Sequence, residues 1–120
     1  SNMSDFTEFL MEKLTVDSTK FDLTKSKWKN LYDKEPSSFD SYSDGDLVKI
    51  IPDGKKWTAR IENYDETKVF KNLPTIEKAV DKAISYCEKK AKEDDPDFKV
   101  RLFALFKRDD AYEFGVKYEL

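Results

Sequence analysis

The chain has 120 residues, with 22 Lys+Arg against 25 Asp+Glu, 38% apolar and 14% aromatic residues, and a formal net charge of −3. That length fits one domain around one core, and the aromatic rings offset the low apolar fraction, which argues against a disordered chain. The mild acidity is not the basic footprint of a general nucleic-acid binder. The absence of histidine removes imidazole bases, Ser-His and Cys-His nucleophile pairs and nearly all transition-metal sites.

Ser1-Asn2 ahead of Met3 reads as an expression scar, and residues 1–120 read as a single globular domain. Asp5 to Leu14 has the pattern of a short amphipathic helix, with Phe6, Phe9, Leu10 and Leu14 on one side and capping-box spacing from Asp5 to Glu8. Leu23 to Asp33 supports two readings. As a helix it gathers Trp28, Leu31 and Tyr32, with Thr24 as N-cap and Leu23 stapled against Trp28. As a strand it turns Ser26 and Asn30 inward with Trp28, which is costly, so helix is preferred. Glu35 to Asp46 is dominated by Pro, Ser, Asp and Gly and reads as a loop that Phe39 and Tyr42 pin to the body.

Leu47 to Ile51 is a short strand closed by a Pro52-Asp53-Gly54 turn. Lys56 to Glu62 alternates cleanly: Trp57, Ala59 and Ile61 point one way, and Lys56, Thr58, Arg60 and Glu62 the other. Thr67 to Lys71 is a third short strand. Thr75 to Lys92 is the clearest helix. Ile76, Ala79, Val80, Ala83, Ile84, Cys87 and Ala91 recur at three- and four-residue steps and make one apolar stripe. Thr75 suits the N-cap, Glu77 suits the first turn, and Asp94-Asp95-Pro96 stops the helix.

Phe98 to Lys107 is a long strand with Phe98, Val100, Leu102, Ala104 and Phe106 on one face. Phe103 and Leu105 on the other face suggest cover on both sides. After a tight hairpin at Arg108 to Asp110, Ala111 to Leu120 places Tyr112, Phe114, Val116, Tyr118 and Leu120 on one face and Glu113, Lys117 and Glu119 on the other. The expected fold class is α+β: an antiparallel sheet of about five strands, the helix 75–92 packed on one face, and one or two short N-terminal helices.

Few residues offer chemistry. Cys87, the only cysteine, excludes an internal disulfide, suits a reducing compartment, and sits on the apolar stripe as a buried structural thiol. Asp40, Asp44 and Gly45 match positions one, five and six of a calcium loop. Tyr42 and Ile51 fail positions three and twelve, and a turn with Gly45 at an unusual backbone angle is expected instead. Gly45, Gly54 and Gly115 belong to no phosphate-binding pattern. Asp94-Asp95 and Asp109-Asp110 read as a helix stop and a hairpin turn, not as an acid/base pair.

Lys55, Lys56 and Arg60 lie on or beside one strand with Thr58 between, and Lys68 and Lys71 lie on the next. Paired, these strands present a small basic patch of the kind phosphates contact. Glu62 on the same face favours the competing reading, a solvated face of alternating charge. The run Lys56-Trp57-Thr58-Ala59-Arg60-Ile61, with Val69 to Leu73 and the helix start Thr75 to Ala83, resembles the three-strand-plus-helix pattern of integrase-type DNA-binding domains. Those domains occur in plant ethylene-response factors and phage integrases. The resemblance implies a sheet face that enters the major groove, with Lys56, Thr58 and Arg60 as the readers.

The expectation is a small, soluble, cytoplasmic, non-catalytic binding protein with no catalytic residue, cofactor or metal. Its partner is another protein, in an accessory or inhibitory role, and the aromatic residues Trp28, Phe39, Tyr42, Tyr64 and the C-terminal tyrosines serve as interface anchors or as core. The alternative is a nucleic-acid-binding accessory protein using Lys56, Thr58 and Arg60. No apolar run reaches membrane-spanning length, so no membrane association is expected. The chain is expected to be a monomer or a homodimer, the latter through the edge of the C-terminal strand.

Overall fold

A computed structural model of the chain describes residues 21–32, 45–108 and 110–120, with residues 103–108 described as backbone. The segment Asp5 to Leu14, the aromatics Phe39 and Tyr42, and Asp40 and Asp44 lie outside the described residues. The described part is an α+β structure, as the alternation and the stripe predict. Strands β1 (Gly45–Asp53), β2 (Lys56–Glu62) and β3 (Thr67–Leu73) precede helix α1 (Ile76–Asp94), and β4 (Lys99–Arg108) and β5 (Ala111–Glu119) follow it. They form one antiparallel sheet in the order β3-β2-β1-β5-β4.

Register explains the core. Ile61 stands beside Val48 and Val48 beside Phe114; Ala59 stands beside Ile50 and Ile50 beside Tyr112. Each row is buried, and α1 lies across the rows with its whole stripe, Ile76 to Ala91, inward. Each large apolar side chain so buried contributes about 1.5–3 kcal/mol. Ala79 and Ala83, both fully buried, let the helix approach the strands closely. The Thr75 hydroxyl accepts from the Lys78 N–H at 3.1 Å and caps the helix as expected. The helix runs two residues beyond Lys92, because the stop acts at Asp95, whose extended backbone (φ −152°, ψ 121°) suits the residue before Pro96.

The described part of the Leu23 to Asp33 segment, Leu23 to Tyr32, is not one continuous α-helix. It forms two 3-10 turns, Leu23–Lys25 and Lys29–Leu31, broken by an extended Ser26. The Ser26 hydroxyl donates to the Leu23 carbonyl at 2.7 Å and accepts from the Trp28 N–H at 3.2 Å, so the side chain replaces the helical ladder. Asp22, not Thr24, is the cap. Leu23 and Trp28 are buried together in the core, as the staple implied. The Tyr112 hydroxyl accepts from the Leu23 N–H at 3.1 Å, and Phe21 packs edge-on to Tyr112, which ties this segment to the sheet.

Two expectations about strands are corrected. Gly45 does not sit in a turn at an unusual angle. It is a β1 residue facing β5, where a Cβ would lie 2.1 Å from the Val116 carbonyl oxygen; close approach, not φ, demands glycine there. The C-terminal strand also has no free edge for a homodimer, because β5 lies between β1 and β4. The sheet's edges are β3 and β4, and Tyr32 makes a parallel bridge to Leu102 on the outer side of β4.

Candidate functional site

Three places carry chemistry. The first is the sheet face turned away from α1. Because β2 alternates, burying Trp57, Ala59 and Ile61 puts Lys56, Thr58 and Arg60 together on that outer face, with Lys56 and Arg60 exposed. Register brings Lys49 of β1 and Val69 of β3 alongside Arg60. The cations there do not stand alone. Glu62 forms ion pairs with Lys49 at 3.0 Å and with Arg60 at 3.6 Å, and Glu113 lies 3.9 Å from Lys49. The face is a charge-compensated lattice around Glu62, with Lys56 at its open end. The strands and helix that carry the resemblance do form one antiparallel unit with these residues on the outer face, but the sheet continues past β1 into β5 and β4.

The second place is a polar cluster under the C-terminal half of α1. Asp46 is 2% exposed, although its neighbours Val48 and Ile50 on the same face of β1 are core. Tyr118 of β5 donates its hydroxyl to Oδ2. The Asn63 amide donates to Oδ1 at 2.9 Å and the Cys87 thiol to Oδ2 at 3.6 Å. One carboxylate thus joins β1, β5, the β2–β3 turn and the helix. Burial, then the charge of Asp46, pushes the Cys87 thiol up to about 12 from an ordinary 9.0. Burial, then Cys87 and the bond to Asp46, raises Tyr118 as well. Both groups therefore keep their protons at neutral pH, and Cys87 is a buried thiol rather than a thiolate nucleophile.

The cluster opens on a cleft of about 260 Å³ whose rim includes Asp65, Lys90, Asp94 and Phe98. Lys90 is itself engaged by Glu66, to which Tyr86 also donates at 3.4 Å. Partial burial pulls the Lys90 ammonium down, but Glu66 outweighs it and holds the group above its ordinary value. Lys90 in turn lowers Glu66. Among the described residues, no three His, Cys, Asp or Glu side chains are placed to hold a metal ion, and no helix is long and apolar enough to cross a membrane.

The third place is the β3 edge. Thr67, Lys68, Val69, Lys71 and Asn72 are all exposed. Val69 is 41% and Tyr64, in the turn leading to β3, 74% exposed; with Leu120 they are the exposed large hydrophobic residues among those described. Phe70 anchors the strand by an edge-on contact to Tyr86 of α1, with ring centroids 5.5 Å apart. Lys68 and Lys82 lie over the Phe70 ring at 5.3 and 5.1 Å. Near its end the strand bulges opposite Trp57–Ala59, where Asn72 takes φ 62°. Among the described residues nothing pairs with the outer side of β3.

Sequence reasoning found the first place and put Glu62 on it; the ion pairs that join Glu62 and Glu113 to Lys49 needed register. It identified Cys87 as buried, and the structure agrees; it left Tyr64 as anchor or core, and the structure exposes it. It did not single out Asp46. Comparison with family models, curated proteins and solved structures finds no match to this chain.

Proposed function

We propose that this chain is a non-catalytic binding protein that recognises another protein through the β3 side of its sheet. The observation that carries the reading is an edge strand whose outer side none of the described residues pairs, with an exposed Val69 at its centre and Tyr64 at its entry. Uncovered edges recruit a strand unless they are guarded, and aromatic residues are enriched at interface centres. The non-catalytic part draws support from Cys87 and Tyr118, the strongly shifted groups among the described residues, which are both held protonated rather than poised as nucleophile or base.

Affinity capture from native lysate tests this, comparing wild type with Val69→Glu in the presence of nuclease. A protein retained by wild type and lost on Val69→Glu supports the reading. An identical captured set with both would refute it.

A second reading, nucleic acid on the outer face, is favoured by the shared exposure of Lys56, Thr58 and Arg60. Its test is a salt-dependent mobility shift of labelled duplex that is lost in Lys56→Glu/Arg60→Glu while the fold persists. Because Glu62 already engages Arg60, we place it second.

A further inference from the structure

An open strand edge asks for a backbone, and the side chains around it say which kind. Alternate residues of β3 turn their N–H and C=O groups away from β2, where an extended chain can take the place of water on all of them. Thr67–Leu73 contains Lys68 and Lys71 and no carboxylate. Lys68 stands on the helix side of the strand, beside Lys82 over the Phe70 ring. On the outer side Val69 stands next to Arg60. Lys68 and Lys82 therefore put positive charge on the helix side of the edge and Lys71 adds another on the strand itself, while on the outer side Arg60 is already paired with Glu62.

Resting on the protein-binding reading above, the geometry points to one occupant: an extended acidic segment of another protein, added to β3 as a further strand. Its backbone pairs with Thr67 to Lys71, its acidic side chains meet Lys68, Lys71 and Lys82, and an apolar side chain covers Val69. The bulge at Asn72 ends the regular edge on one side. Asp65 and Glu66 bound it on the other and exclude further acids there. A second copy of this chain fits poorly, because β3 against β3 crowds Lys68 and Lys71 of both copies together. Edge lysines deter strand addition by neutral and basic segments. Here the same lysines make the edge selective for acidic ones.

The probe is a fluorescein-labelled heptapeptide of alternating Glu and Val, titrated into the full chain. Beside it run its Lys-for-Glu counterpart and a version N-methylated at alternate residues. The acidic peptide is expected to bind at least about tenfold tighter than the basic one, with N-methylation costing a similar factor. Amide shifts should centre on residues 67–71, and Lys68→Glu/Lys71→Glu should invert the charge preference. Lys68→Ala, which should weaken binding without inversion, keeps the test valid if the double variant misfolds.

Equal binding of acidic and basic peptides, indifference to N-methylation, or shifts confined to the Lys49/Lys56/Arg60 face would overturn the proposal. So would displacement of the peptide by labelled duplex, or a β3-mediated dimer in sedimentation. If no peptide binds but Val69→Glu still loses its captured protein, the acidic-strand inference alone falls. If Val69→Glu captures what wild type does and no peptide binds, the protein-binding reading falls with it.

Discussion

Replacing Asp46 by Ala should cost more than any other single polar substitution in the described fold. The carboxylate is buried and receives a phenol, an amide and a thiol. Hydrogen bonds to a charged acceptor contribute about 1.5–3 kcal/mol each, so Tyr118 and Asn63 together supply about 3–6 kcal/mol, with the longer thiol contact adding little. Removing the carboxylate also removes its own desolvation penalty, which brings the net loss to about 3 kcal/mol. Against an overall stability of about 5–15 kcal/mol, that lowers Tm by on the order of 12 °C. Urea denaturation at pH 7 measures the loss directly. Tyr118→Phe alone should cost about 2 kcal/mol, since Asn63 and Cys87 still serve the carboxylate. Asp46→Asn should fall between, because its NH2 must face a donor. The double variant Asp46→Ala/Tyr118→Phe should lose at least about 1 kcal/mol less than the sum of the two singles. An Asp46→Ala loss under about 1 kcal/mol, or strict additivity with Tyr118→Phe, would refute the claim that this carboxylate binds the helix, two strands and a turn into one unit.

Further outcomes follow from burial and backbone geometry. Cys87 should resist iodoacetamide in the native state at pH 8. Because its folded pKa lies above the unfolded value, the thiol's contribution is intact below pH 9 and is lost as pH rises toward 12, by up to about 1.4 kcal/mol per pH unit. Cys87→Ala should flatten, though not abolish, the decline in urea midpoint between pH 9 and 11, since Tyr118 shifts in the same direction; an unchanged slope would count against the assignment. Gly45→Ala should destabilise by about 2 kcal/mol or more, because its methyl would press the Val116 carbonyl. Gly54→Ala, with φ 62° and nothing within 4 Å, should cost only about 1 kcal/mol of backbone strain. Thermal melts that rank the two glycines in the reverse order would contradict this account.

The parts of this fold that were legible in the sequence are those set by local period. Trp57, Ala59 and Ile61 alternate with charged residues, and the observed strand begins and ends at Lys56 and Glu62 as expected. The seven stripe residues of α1 are all buried because their spacing leaves no other face apolar. What was not legible depends on partners distant in sequence. Asp46 reads as loop because Ser, Asp and Gly surround it, and only pairing with β5 brings Tyr118 to its carboxylate. Glu113 was expected on the face opposite Tyr112, yet it is buried there, beside Lys49 of the neighbouring strand. In Leu23 to Asp33 the apolar residues fit a helix, but Ser26 diverts the backbone through its own hydroxyl. For the Lys56, Thr58 and Arg60 face, period was enough to put the three side chains together, while their electrostatic setting depended on β1 and β5.

The central position of β5 bears on how the molecule is made. A nascent chain still short of residue 111 holds β3, β2 and β1 as a meander, while β4 has no neighbour among these strands. Both the inner flank of β1 and that of β4 then wait for the same late segment, across a gap only it can fill. Such long-range closure is slow and leaves adhesive flanks open meanwhile. A stop codon just before Ala111 would therefore remove the keystone rather than trim the rim, and would turn the N-terminal meander into a substrate for chaperones.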